Sequence, residues 1–204
     1  MILTTWNYTL TDVDEMPTLL TVAEFNSMTA GRYTGDERIP SMLAAAESAI
    51  REFCGWHVAD NQPCEAVFLG RDKAVSKTSW DILVQLPATY VTEATSVTIN
   101  GNEISHYDVT NDGLLWIYDM GLSRRDKIAV SFSAGLTENL MGGVKELICH
   151  RVTHALAQSY GIQSEAAGGV SVTYSANWIN SASATALPDG NKEVLSPYRL
   201  RRVF

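Results

Sequence analysis

Apolar residues recur at three- and four-residue steps in two long stretches, which is the spacing of one face of an α-helix. In the first stretch this face consists of Ile39, Met42, Leu43, Ala46, Ala49, Ile50 and Phe53. Glu47, Arg51 and Glu52 fall at its edge or outside it. Pro40 fits the first turn, where its missing N–H costs nothing, and Gly55 ends the run. We therefore predict a helix that buries one stripe.

The second stretch runs from Glu138 to Tyr160 and ends at Gly161. Its apolar face consists of Leu140, Val144, Leu147, Ile148, Val152 and Ala155. We predict that the two helices pack through their apolar stripes, with Ile50 and Leu147 in one buried cluster. The predicted packing residues are Ile39, Leu43, Ala46, Ile50, Phe53, Val144, Leu147 and Ile148.

A shorter helix is predicted ahead of these two. Thr21 and Glu24 have the spacing of a capping box, in which a hydroxyl and a carboxylate satisfy the first N–H groups of a helix. We expect this helix to end around Ala30–Gly31, because glycine tolerates the left-handed conformation.

Between Pro63 and Gly135 the period of the apolar residues changes to two, which indicates β-strands. Alternation at 82–86 is followed by a strand at 97–99 that enters Asn100-Gly101, the signature of a tight hairpin. Asn111-Asp112-Gly113 predicts a second turn, and strands are expected at 114–118 and 128–132. The turn signals predict an antiparallel unit of roughly four to six strands.

These segments predict an α+β fold with a helical bundle core, formed by residues 21–62 and 136–160. A small antiparallel β-sheet insertion at 63–135 interrupts that core. Residues 1–20 are expected to form an N-terminal arm. Residues 161–204 are expected to contribute a strand at 170–174 and an extended C-terminal arm. Residues 175–204 lack a strong apolar stripe, so we expect them to be loosely held in the free chain.

Composition and charge argue against several classes of protein. The 204 residues carry a net charge of -8, which argues against a protein that wraps nucleic acid, because neutralising phosphates needs a basic face. No apolar run is long enough to cross a bilayer, and no secretory signal is expected at the N-terminus. The three cysteines, Cys54, Cys64 and Cys149, have irregular spacing and predict buried thiols.

The sequence contains no recognisable catalytic constellation, so we predict no enzyme activity, no metal site and no cofactor. His150 and His154 lie four residues apart and share a helix face, as zinc ligands do. However, Arg151 occupies the position at which zinc metalloproteases carry their glutamate base. Two surface histidines are the interpretation that we favour.

The last residues combine aromatic and arginine side chains, the composition that dominates binding hot spots. We predict partner binding by Tyr198, Arg199, Leu200, Arg201, Arg202 and Phe204. A solvated basic tail is the alternative, and composition alone does not decide between the two.

The segment LTVAEFNSMTAGRYTGDERIPSMLAAAESAIREFCGW resembles the opening of the head–tail connector proteins of tailed phages, the head completion or adaptor proteins. GGVSVTYS and LSPYRLRRVF resemble the end of the same family. The resemblance covers about half of the chain and rests on patterned motifs. The β insertion is larger than a minimal adaptor needs.

The resemblance implies a structural subunit at the virion neck, made in the bacterial cytoplasm. Copies would form a ring on the portal protein with its twelvefold symmetry and would receive a stopper or tail-completion protein on the other side. DNA would pass through the channel without sequence-specific binding, and no membrane would be involved. Two alternatives stay open: a β-rich virion module that binds carbohydrate or host surface through Trp80 and Trp116, and a metal-dependent hydrolase using His150 and His154.

Overall fold

The computed structural model describes residues 2–3, 8–11, 15–70, 74–75, 81–118, 121–157, 164–167, 170–173, 187 and 189–200. The chain divides into two compact units. The first unit comprises Met1–Pro17, Cys54–Met141 and Tyr198–Phe204, and the second comprises Thr18–Phe53 and Gly142–Pro197.

The described residues form four α-helices: α1 (Val22–Met28), α2 (Ile39–Cys54), α3 (Glu138–Ala157) and α4 (Asp189–Leu195). A 3-10 turn follows at Ser196–Tyr198. The predicted capping box of α1 is confirmed, because the Thr21 side chain accepts from the backbone N–H of Glu24 while the Glu24 carboxylate accepts from that of Thr21. The predicted end of α2 is also confirmed, and Gly55 has a φ of +81°.

The strands of the described residues are short, apart from three of eight or nine residues. They are β1 (Ile2–Leu3), β2 (Tyr8–Leu10), β3 (Gln62–Leu69), β4 (Ala74–Val75), β5 (Ile82–Gln85), β6 (Val91–Ile99), β7 (Asn102–Glu103), β8 (Tyr107–Val109), β9 (Leu114–Ile117), β10 (Lys127–Ala134), β11 (Ser164–Ala167) and β12 (Val170–Thr173). The predicted strands at 82–86, 97–99, 114–118, 128–132 and 170–174 correspond to β5, β6, β9, β10 and β12.

The longest strands lie side by side in a six-stranded sheet of order β1-β2-β3-β10-β6-β7. All of its pairs are antiparallel. The predicted hairpin is present: Asn100 and Gly101 join β6 to β7, and both have the positive φ of a tight turn, 52° and 84°. A second sheet has the order β4-β5-β9-β8, and its turn at Gly113 (φ +82°) is also the predicted one.

The class is α+β as predicted, but the helical bundle core is wrong. The described part of the chain is strand-rich, with eight strands in two sheets between Gln62 and Ala134, more than the four to six expected. Buried and less buried side chains alternate along β5, β9 and β10, so the sheets carry a core of their own. Strands of two or three residues between turns are too short to show an alternating pattern, which is why the sequence understates their number.

The helices of the second unit bury most of the predicted stripe. Ile39, Leu43, Ala46, Ile50, Val144 and Ile148 are buried, whereas Phe53 and Leu147 are half-buried. On α3 the buried positions include Met141, Val144, Ile148, Val152 and Leu156. Ala155, predicted on the apolar face, is exposed. Met141, Ile148 and Leu156 are thus more buried than the residues before them, Leu140, Leu147 and Ala155. The buried face of α3 is therefore rotated by about one residue from the predicted face.

No helix among the described residues is long and apolar enough to cross a membrane.

Candidate partner-binding site

Residues 198–200, at the start of the predicted partner-binding segment, are attached to the loop that follows α2. The indole Nε1 of Trp56 donates a hydrogen bond of 2.7 Å to the carbonyl oxygen of Tyr198. The backbone N–H of Leu200 donates one of 2.8 Å to the carbonyl oxygen of Cys54. Because the Trp56 side chain is fully buried, its single N–H needs a protein acceptor, and Tyr198 supplies it.

Three aromatic rings reinforce this attachment. The ring of Tyr90 stacks on that of Trp56, with centroids 6.1 Å apart. The ring of Tyr198 is tilted relative to that of Tyr90, and their centroids are 6.0 Å apart. Burial is the main cause that raises the pKa of Tyr90, so its hydroxyl stays protonated here. Burial also raises the pKa of the Cys54 thiol to about 12, which makes it an unreactive packing residue.

The predicted binding residues are thus only partly free. Tyr198 and Leu200 are half-buried, and Arg199 is exposed. Arg201, Arg202 and Phe204 lie outside the described residues. The expectation of a loosely held segment is wrong for residues 189–200, because α4 forms there and Leu195 is fully buried. Helix α4 has too few apolar residues for a stripe, so the sequence pattern does not reveal it.

A buried histidine in the same loop was not identified from the sequence. His57 is fully buried, and its Nε2 lies 3.0 Å from the carbonyl oxygen of Ala134, so Nε2 carries the proton. Its Nδ1 therefore accepts from the Tyr8 hydroxyl at 2.6 Å, while that hydroxyl accepts from the His57 backbone N–H at 2.9 Å. The network ties β2 and the end of β10 to the loop that holds Tyr198.

A buried ion pair orders the start of the second unit. Glu47 and Arg51 were expected at the edge of the apolar face or outside it, but both are buried. One carboxylate oxygen of Glu47 accepts from the backbone N–H groups of Leu19 and Leu20, each at 3.0 Å. The other lies 3.6 Å from the Arg51 guanidinium. Two backbone donors explain why a carboxylate is found here.

Residues 18–200, most of the chain, match the family model described as "Head completion protein". The chain belongs to this family. No curated protein matched the sequence. As a head completion protein, the chain is a structural protein of bacteriophage assembly and serves as an adaptor between head and tail. Its place is accordingly at the neck of the virion or the adjoining capsid, and its partners are other head and tail proteins.

The histidine pair of this head completion protein lies on α3, with ring centroids 4.7 Å apart. Burial, followed by the neighbouring His150, lowers the pKa of His154. Among the described residues, no group of three or more His, Cys, Asp or Glu side chains is arranged to hold a metal ion. Nothing in this geometry therefore favours the hydrolase alternative.

The aromatic residues considered for carbohydrate binding are not brought together in the described structure. Trp116 is half-buried on β9, flanked in register by Leu83 of β5 and Asp108 of β8. Trp80 lies outside the described residues. Trp116 thus occupies an ordinary cross-strand position, and its geometry does not favour a sugar platform.

Proposed function

We propose that this head completion protein forms a ring on the portal at the virion neck, around the channel through which DNA passes. The ring has the portal's twelvefold symmetry and receives the stopper or tail-completion protein on its other side. The subunits are made in the cytoplasm of the bacterial host. The family match over residues 18–200 carries this proposal.

The net charge of -8 supports the placement around DNA. A negatively charged channel wall repels phosphates, so DNA slides through it without being held. A structural subunit needs no catalytic residues, and we propose that this protein is not an enzyme.

The segment that begins at Tyr198 is the proposed docking element, with Arg199, Arg201, Arg202 and Phe204 contacting the portal rim or a neighbouring copy. The attachment of Tyr198 to Trp56 and of Leu200 to Cys54 supports this role. Residues 201–204 start from a fixed point, so they lose less conformational freedom on binding than they would at the end of a free arm.

Head completion in extract tests the docking element. DNA-filled heads that lack this protein are mixed with purified protein and tails, and infectious particles are counted. Deletion of residues 201–204 leaves the described attachments intact, so we expect a folded protein that completes few heads. A variant in which RRVF is replaced by FVRR keeps the composition and should also fail. Wild-type yields from both variants would refute the docking role.

A further inference from the structure

Along β3, β10 and β6, the three longest strands of the six-stranded sheet, the described side chains on one face are all exposed or half-buried. On β3, Val67 and Leu69 point outward and are 51% and 37% exposed, two of five large hydrophobic residues that are exposed among the described residues. On the central strand β10, the outward side chains between them and β6 are small: Ala129, Ser131 and Ser133. These small side chains form a strip along β10 that Val67 and Leu69 border on the β3 side, and we call this strip the channel.

The two ends of this channel differ in charge. At one end Glu65 of β3 and Glu93 of β6 flank Ser131 and Ser133 in register, and both carboxylates are exposed. At the other end Val67 flanks Ala129, and Leu69 lies beside the exposed Lys127. A ligand for this channel therefore carries cations at one end and apolar groups at the other, in a fixed direction.

We propose that this channel binds residues 201–204, Arg-Arg-Val-Phe, of a neighbouring copy of the chain. Extended and parallel to β3, the segment places Arg201 and Arg202 at Glu65 and Glu93, because successive side chains point to opposite sides. Val203 then follows Arg201 on the β3 side and covers Val67, and Phe204 lies on the β6 side of the apolar end. The reverse direction would bring the arginines against Lys127 and is disfavoured. The inference rests on the proposed docking role and names the surface that receives the segment.

A neighbouring copy supplies the occupant, because the chain's own residues 201–204 cannot extend from Leu200 to the apolar end of the channel. Leu200 is held at Cys54, and the adjoining Trp56–Tyr90 stack lies at the sheet end where β6 begins, at Val91. Four residues span at most about 14 Å. Leu69 lies seven residues along β3 from that end, roughly 23 Å away.

Such a contact joins two different surfaces of neighbouring copies, the segment of one and the channel of the next. Contacts of this head-to-tail kind generate rings when the rotation between copies closes. The arrangement therefore agrees with the proposed ring without a two-fold dimer.

Fluorescence anisotropy tests the contact directly. A labelled peptide of residues 196–204 is titrated with the chain lacking residues 201–204. We expect saturable binding that weakens as salt is raised. Reversing the acidic end with Glu65→Arg and Glu93→Arg should weaken binding by about tenfold or more. The matched control, Glu37→Arg with Glu193→Arg, makes the same charge change at exposed positions of the second unit and should bind as wild type.

Charge exchange separates a specific contact from general attraction. A peptide with Glu at positions 201 and 202 should bind the Glu65→Arg, Glu93→Arg protein and not the wild type. Val67→Ser should weaken the wild-type peptide without changing its salt dependence, since it removes only an apolar contact. Absence of binding at millimolar concentration, or equal binding to the reversed protein, would overturn the inference.

Failure here and failure of the docking role are distinguishable. If the peptide does not bind the channel but deletion of residues 201–204 still abolishes head completion, the segment docks elsewhere and only the present inference is wrong. If the deletion leaves head completion unchanged, the docking role itself is wrong.

Discussion

At the scale of single residues, the network around His57 in the first unit buries polar groups that must all be hydrogen-bonded. The Tyr8 hydroxyl both donates to Nδ1 of His57 and accepts from its backbone N–H, and all of these groups are buried. Tyr8→Phe would leave an acceptor and a donor unpaired. We expect the free energy of unfolding to fall by about 1–3 kcal/mol, measured by urea denaturation.

The control is Tyr118→Phe, which removes a hydroxyl that donates to Asp108 at the surface, where water replaces it. Its effect should stay within about 0.5 kcal/mol. A loss as small as about 0.5 kcal/mol for Tyr8→Phe would contradict the contribution of the Tyr8 network to stability.

Glu47 is the corresponding residue of the second unit. Glu47→Ala removes the acceptor of two buried backbone N–H groups and the carboxylate that pairs with Arg51. We expect a loss of about 3 kcal/mol or more in thermal or urea unfolding. Glu52→Ala, an exposed change on the same helix, should be nearly neutral. A neutral Glu47→Ala would contradict the buried network.

These residues show where sequence patterns stop being informative. A helical wheel placed Glu47 at the edge of the apolar face, and only the backbone of residues 19 and 20, folded back onto α2, makes that position buried and polar. His57 likewise lies in a loop, where no periodicity signals burial. Partners distant in sequence determine both positions, so the chain order alone could not reveal them.

At the scale of elements, the cap of α1 predicts a pH dependence. The Lys145 ammonium, then the backbone and hydroxyl of Thr21, lower the pKa of Glu24 from 4.5 to about 2. A lowered pKa in the folded state means that stabilisation is complete above about pH 4.5 and is lost as the pH falls toward 2. Because the side chain is 41% exposed, we expect less than about 1 kcal/mol.

Glu24→Gln should therefore reduce stability at pH 7 and remove part of the acid dependence, as followed by circular dichroism during urea titration at several pH values. Glu52→Gln serves as the matched control. An unchanged slope between pH 5 and 2 in the Glu24→Gln variant would contradict the assigned contact with Lys145.

Elements with strong local signals could be predicted. The capping box of α1, the apolar periodicity along the sixteen residues of α2 and the Asn100-Gly101 turn each depend on neighbours in sequence. The face of α3 was misplaced because its apolar residues surround much of the helix, and packing rather than pattern selects the buried side. The number of strands was understated because strands such as β4 and β7 have two residues each.

At the scale of the whole molecule, we expect the free protein to be monomeric or weakly associated. Copies with a net charge of -8 repel one another, whereas the proposed binding to a portal would place copies at adjacent sites and make lateral contacts effectively intramolecular. Sedimentation velocity at micromolar concentration and low salt should show a monomer. Stable rings in the absence of portal would contradict template-driven assembly.

The candidate site was only partly predictable at this scale. The aromatic and arginine residues at 198–204 were visible in the sequence, but their attachment was not. Trp56 and Tyr198 are 142 residues apart, and a hydrogen bond between an indole and a backbone carbonyl leaves no periodic trace. The family resemblance, by contrast, was visible in the motifs, and the match over residues 18–200 confirms it.

We propose that this protein completes heads by binding at the portal vertex. The most direct measurement is its stoichiometry on DNA-filled heads that lack it: heads are incubated with the purified protein, isolated by sedimentation and quantified by mass spectrometry. We expect saturation at about twelve copies per head, matching one portal ring, and no binding to heads without a portal. Saturation at hundreds of copies, or equal binding to heads without a portal, would contradict it.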